Sequence, residues 1–161
     1  MKKRILAAVM ILASLFGLFG CAKTPDKTNF IKTITSVETM ELTLRGMRGG
    51  TVYKFDTETD PPKLCRYREK YSGTEDFLEL EKSITFPHEE MIGLMNACKV
   101  FKWDGFHGKH PKNVSDGIMF CFEAEINGGQ TIRANGSANF PKGYHEFVRT
   151  LDEMLAKGEA D

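Results

Sequence analysis

A chain of 161 residues in which 22 Lys and Arg balance 22 Asp and Glu has no charge surplus with which to hold a polyanion, and that balance removes nucleic acid from its expected partners. Its length suits one domain around a single core. Four cysteines with no CxxC spacing exclude a redox pair or a zinc knuckle.

Lys2, Lys3 and Arg4 open the chain, and an almost unbroken apolar run from Ile5 to Phe19 closes on Leu18-Phe19-Gly20-Cys21. That is the layout of an export signal, and the run is shorter than the about 20 apolar residues a membrane span needs. Leu18 to Cys21 resembles the lipobox of bacterial lipoproteins. The resemblance implies diacylglycerol on the Cys21 sulfur, cleavage after Gly20 and acylation of the new amino terminus, hence a lipid-anchored protein on the extracytoplasmic face of the cell membrane. Two or more acyl chains make such an anchor stable. The expected organisation is a signal peptide over 1–20, a lipidated tether over 21–29 that is polar and contains Pro25, and a single α+β domain over 30–158. The leader's three charged residues are all basic, so what remains is acidic by three.

Beyond the tether the pattern has strand period. Met40, Leu42 and Leu44 alternate with polar residues, Tyr53 and Phe55 share a face, Cys65, Tyr67 and Tyr71 alternate with Arg66, Arg68 and Lys70, and Leu78, Leu80, Ile84 and Phe86 fall on one side of a fourth run. Gly46 to Gly50 separates the first two runs and Asp60-Pro61-Pro62 closes the second. Four such strands predict an antiparallel meander with one covered and one wet face. Arg66, Arg68 and Lys70, with Arg45 and Lys54 on neighbouring strands, suggest a positive stripe on the wet face for anionic lipid or wall polymer, a stripe that Glu69, Glu79 and Glu81 interrupt.

From Pro87 the period becomes helical. Met91, Leu94, Met95, Cys98 and Phe101 form a stripe, with Glu89 and Glu90 in the first turn. Lys102 to Gly117 has no period and reads as a long loop. Ile118, Phe120, Phe122, Ala124 and Ile126 alternate, Asn127-Gly128-Gly129 supplies a tight turn, and Ile132 and Ala134 continue on the return strand. Tyr144, Phe147, Val148, Leu151, Met154 and Leu155 make a last helix that ends before Gly158. The expected fold class is α+β: a mainly antiparallel sheet of about six strands, ordered β-meander, helix, β-hairpin, helix, with two helices on one face. Ser83 to Pro87 and Ser137 to Pro141 introduce the two helices alike, each with a Phe packing back and a Pro fixing the backbone.

From Met91 onward, Trp103, Asp116-Gly117, the hairpin, Ala134 to Ser137, Phe140-Pro141 and Tyr144 resemble the C-terminal region of small, mostly uncharacterised lipoproteins of Gram-positive anaerobic bacteria. The resemblance implies a fold and an envelope location, and transfers no catalytic residue.

A ligand site is best sought in the loop from Trp103 to Asp116, because loops on a rigid scaffold carry function. It holds Trp103, Asp104, Phe106, His107, His110 and Asp116, a candidate ligand-binding loop; the alternative is a solvated loop with Trp103 and Phe106 tucked onto the core. Its histidine spacing completes no metal framework, so no metal and no cofactor are expected. Cys65, Cys98 and Cys121 are read as small buried hydrophobes, with one bridge between two of them as the alternative. GxSxG and SxxK are absent, and only an approach of Cys121 to His145 offers a thiol dyad. The expected function is a non-enzymatic binding or interaction module of the cell envelope, acting on an unknown envelope protein or wall component. The alternatives are a structural or inhibitory partner of another envelope protein, or a metal-dependent or thiol enzyme using the Trp103–Asp116 loop.

Overall fold

The computed structural model describes residues 32–47, 49–73 and 75–158; the expected signal peptide, the lipidation site Cys21 and the tether lie outside them. The alternating runs form strands β1 (Val37–Gly46), β2 (Gly49–Asp56), β3 (Lys63–Tyr71) and β4 (Asp76–Thr85). After helix α1 (His88–Ala97) come a short strand β5 (His107–Gly108), the hairpin β6 (Met119–Ile126) and β7 (Gln130–Ser137), and helix α2 (Tyr144–Lys157). One seven-stranded sheet runs β4-β3-β2-β1-β6-β7-β5, antiparallel throughout except for β5, which lies parallel to β7. The fold is therefore α+β with a mostly antiparallel sheet and two helices, but with seven strands where about six were expected.

The additional strand is β5, inside the segment that reads as structureless. Two residues are too few to show a period. They join β7 because Gly108 and Gly136 have no side chains: a Cβ on either would lie 2.3 or 2.4 Å from the Asn139 carbonyl oxygen.

The core lies on one face. Met40 and Leu42 of β1, Tyr53 and Phe55 of β2, Leu64 of β3 and Phe120, Phe122 and Ala124 of β6 point to it, and the helices cover it with Met91, Leu94 and Met95 of α1 and Tyr144, Phe147, Leu151 and Leu155 of α2. Phe147 sits edge-on to Phe122 and Trp103, and Phe140 stacks on Tyr144 with centroids 4.4 Å apart. Helix α1 stops short of its apolar stripe: Lys99 takes a left-handed conformation (φ 55°), so Phe101 belongs to a 3-10 turn over Val100–Lys102. Gly143 (φ 88°) similarly delays α2 until Tyr144, three residues after Pro141.

Strand β4 departs from its expected face. Glu81 is unopposed, since Arg66 pairs with Lys82 and Tyr67 with Leu80. A single extra residue reverses every side chain beyond it. Ile84 packs on the core, whereas Leu78 and Leu80 lie on the opposite face and are exposed.

Two asparagines secure the chain where it enters β1. The Ile34 N–H donates to Asn96 Oδ1 at 2.9 Å, and Asn96 Nδ2 donates back to the Ile34 carbonyl at 2.8 Å. Asn127, in the β6–β7 turn, accepts from the Thr35 N–H at 2.7 Å and donates to the Thr33 carbonyl at 3.0 Å. These bonds place Ile34 at the end of the sheet away from the β1–β2 turn.

Candidate functional site at the far end of the sheet

The register defines that far end. Arg45 faces Gly50 on one side and Met119 on the other, and one row further in Leu44 faces Thr51 and Phe120. All eight large apolar side chains that are exposed among the described residues, Met47, Tyr71, Phe77, Leu78, Leu80, Val114, Ile118 and Met119, lie in the half of the sheet toward this end, with Leu80 the furthest in, on the row of Thr43. Met47 in the β1–β2 turn is 83 % exposed, and Leu80 and Met119 are more than half exposed. Val114 joins them because His110 hydrogen-bonds both the Val114 carbonyl and Ser137, which faces Met119. A soluble surface carries single apolar side chains anywhere; gathering all of them at one end is what marks an interaction site.

On the helix-bearing side this end forms an open cleft of about 820 Å³, lined by Leu44, Met47, Thr51, Arg68, Asp116 and Ile118 with Gly46, Gly49, Gly50 and Gly117. The glycines keep its floor at backbone level. Gly50 also makes room for an ion pair: Arg45 Nη2 reaches Glu69 Oε1 at 2.6 Å, where a Cβ on Gly50 would lie 2.0 Å from the Glu69 carboxylate. That hydrogen bond raises the Arg45 pKa. Arg68 is matched by Glu81 at 2.6 Å, so the cleft mixes the apolar Leu44, Met47 and Ile118 with this paired guanidinium and the Asp116 carboxylate.

The expected loop does not converge on one site. Trp103 is buried and its Nε1 donates to the Lys142 carbonyl at 3.0 Å, while Phe106 packs toward Phe120. Asp104 accepts the Arg133 N–H at 3.1 Å, and His107 pairs with Asn135 across the β5–β7 ladder. Since a carbonyl only accepts, His110 Nε2 donates to Val114, and Nδ1 shares a hydrogen bond with the Ser137 hydroxyl at 2.8 Å. Of the six residues only Asp116 lines the cleft. Among the described residues no three His, Cys, Asp or Glu side chains come together as a metal-binding group.

The cysteines divide by face. Cys98 is buried beneath α1, and burial pushes its thiol up to about 11. Cys65 is buried beside Ser83, at 3.3 Å, on the face away from the helices. Cys121 is exposed on that same open face, so the expectation that all three are buried fails for it; none of the three is bridged. Alternation explains this, since Phe120 and Phe122 take the core side. His145 belongs to α2 on the covered face, edge-on to Phe140 and Tyr144, and the sheet itself stands between Cys121 and His145.

The basic residues considered as a positive stripe lie on two faces and make no continuous stripe. Arg66 faces Tyr53 on the helix side, where both bond Asp152 of α2, at 3.1 and 2.8 Å. Burial lowers the Arg66 pKa, but the hydrogen bond and charge of Asp152 outweigh it and leave the guanidinium raised. Burial, then the bond to Asp152, holds the Tyr53 phenol above the ordinary tyrosine range. Lys70 pairs with Glu79 at 3.2 Å, whereas Lys54 pairs with Glu41 at 3.0 Å on the open face. That face carries a second concavity of about 710 Å³ whose side chains include Glu41, Lys54, Tyr67, Cys121, Glu123 and Arg133.

Comparisons with protein-family models, curated proteins and solved structures return no match. Sequence analysis missed the far-end site because Gly46–Gly50 explains itself as a turn. The available signal was Phe77-Leu78, adjacent apolar residues that no single covered face can absorb.

Proposed function

We propose that this chain is a lipid-anchored extracytoplasmic lipoprotein whose domain is a non-enzymatic binding or interaction module of the cell envelope, receiving its partner at the far end of the sheet. The observation that carries it is the gathering of all eight exposed large apolar side chains among the described residues in the half of the sheet toward that end. The anchor rests on Leu18-Phe19-Gly20-Cys21. Among the described residues no helix is long and apolar enough to cross a membrane.

Two measurements test this. Cys21→Ser abolishes incorporation of labelled fatty acid and releases the protein from the membrane fraction; unchanged labelling rejects the anchor. A photo-crosslinking residue placed at Met47 or Met119 gives discrete adducts in intact cells, while one at Thr131 gives none. Adducts that ignore position reject the far-end site.

A further inference from the structure

The far end also contains a strand without a neighbour. β4 is an edge of the sheet, and among the described residues nothing pairs with its outer side. The opposite edge is closed by β5, only two residues long. Exposed edges are usually blunted by Pro, by charged side chains, especially Lys, by bulges or by brevity. Asp76–Leu80 has no Pro, no Lys and no bulge, and its only charges, Asp76 and Glu79, are acidic: five consecutive residues pair in regular register with Tyr67–Tyr71, and the bulge at Glu81 begins only beyond them. Apolar side chains flank this stretch on both faces, Phe77 on the helix side and Leu78 and Leu80 on the open side, all exposed. An added strand would therefore gain ladder hydrogen bonds and cross-strand apolar pairs together.

Charge decides what fits. Glu75, Asp76, Glu79 and Glu81 make the stretch acidic. A second copy pairing β4 with β4 would bring these carboxylates together across the two-fold axis, and like charges opposite one another destabilise a sheet. The strand already paired with it shows what suits this face: Arg68 opposes Glu79 and Tyr67 opposes Leu80, and Lys70, opposite Phe77, reaches diagonally to Glu79 in an ion pair, while Glu69 opposite Leu78 is the one acidic departure. We propose that Asp76–Leu80 takes up an extended segment of a partner protein as an eighth strand, and that this segment alternates basic with apolar or aromatic side chains. The proposal rests on the binding-module reading and specifies its partner.

The test uses the full chain carried in phosphatidylcholine nanodiscs, with empty nanodiscs as control. Three synthetic peptides serve as probes: a copy of Leu64–Tyr71 carrying Cys65→Ser, the same peptide with Glu at its Arg and Lys positions, and the basic peptide N-methylated at alternate residues. Fluorescence anisotropy gives binding of the basic peptide at least tenfold tighter than the other two, and hydrogen exchange slows at residues 76–80. Leu80→Lys and Leu78→Lys, at exposed positions that leave the melting midpoint unchanged, each weaken binding at least tenfold. Glu79→Lys shifts preference toward the acidic peptide. Absence of binding, indifference to peptide charge, or binding that survives N-methylation overturns strand addition. So does self-association of the chain that Leu80→Lys disperses, which makes the occupant a second copy. Position-dependent cross-links at Met47 and Met119 alongside any of these failures leave the binding module intact and remove only this partner; loss of both removes both.

Discussion

Asn96 and Asn127 hold residues 33–36 at one end of the sheet through side-chain amides, whereas Met47, Tyr71 and Phe77 stand in water at the other. The contrast follows from where the helices reach. α1 lies over the first end, with His88 edge-on to Phe55 and Asn96 on Ile34. α2 starts beside Phe120 on β6 and ends against Ile84 on β4, where a Cβ on Gly158 would lie 2.3 Å from an Ile84 methyl, so it crosses the sheet rather than following it. A helix of fourteen residues spans about 21 Å, and this one is used crosswise. On the helix side, the rows of β1 to β4 beyond Leu44 are left without cover, with Phe77 exposed among them.

The largest effect expected from this division is in the covered region. Phe147→Ala destabilises the domain by about 3–5 kcal/mol, measured by denaturant unfolding, because the ring is fully buried against Phe122 and Trp103. Met119→Ala changes the same midpoint by less than about 0.5 kcal/mol. Equal losses would make the far end part of the core and end the comparison.

Next comes the tie at the first end. Asn127→Ala costs about 2 kcal/mol, from a left-handed backbone (φ 51°) that disfavours a Cβ and from the lost bonds to Thr33 and Thr35. Asn127→Gly relieves the backbone and costs about half as much; a glycine that costs nothing would show that the turn, not the amide, secures the chain.

Cysteine chemistry sharpens the contrast between covered and open faces. Cys121 reacts with a neutral alkylating reagent under native conditions, while Cys98 stays protected. Because the folded-state thiol of Cys98 titrates at about 11 instead of 9.0, the unfolded chain loses its proton first. Its stabilising contribution is complete below about pH 9 and is lost as pH rises through about 11. Tyr53 and Tyr144, also raised from 10.0 by burial, add to the decline at higher pH. Unfolding midpoints across pH 8–11 show this fall, and Cys98→Ala makes its first part shallower.

The smallest effect is at the open end: Gly50→Ala displaces the flexible Glu69 carboxylate and breaks its pair with Arg45. An exposed pair of this kind is worth about 0.5 kcal/mol at low salt and less at high salt. A larger loss, unaffected by salt, would make the β1–β2 turn a structural element.

How far these regions were legible differs by residue. Periods of two and 3.6 are local properties of side-chain order, so β1, β2, the β6–β7 hairpin and both helices could be read directly, as could the turn at Asn127-Gly128-Gly129. Of the candidate loop, Trp103 and Phe106 pack on the core, the alternative to a ligand site that their apolar character already offered, because an aromatic side chain does not state which surface it will meet. Leu78 and Leu80 were assigned to the covered face because nothing in the run Phe77–Phe86 announces that Glu81 bulges.

Taken by itself, the sequence determined the α+β class, the element order and the polar alternation that divides the sheet into two faces, since each depends on neighbours within a few residues. Tertiary structure alone decided the addition of β5 through two glycines, the reversal of β4, the exposure of Cys121 and the bare apolar end. Each of these depends on which distant segment arrives alongside, on pairing register and on where a helix crosses, and a one-residue shift in any of them exchanges core for surface.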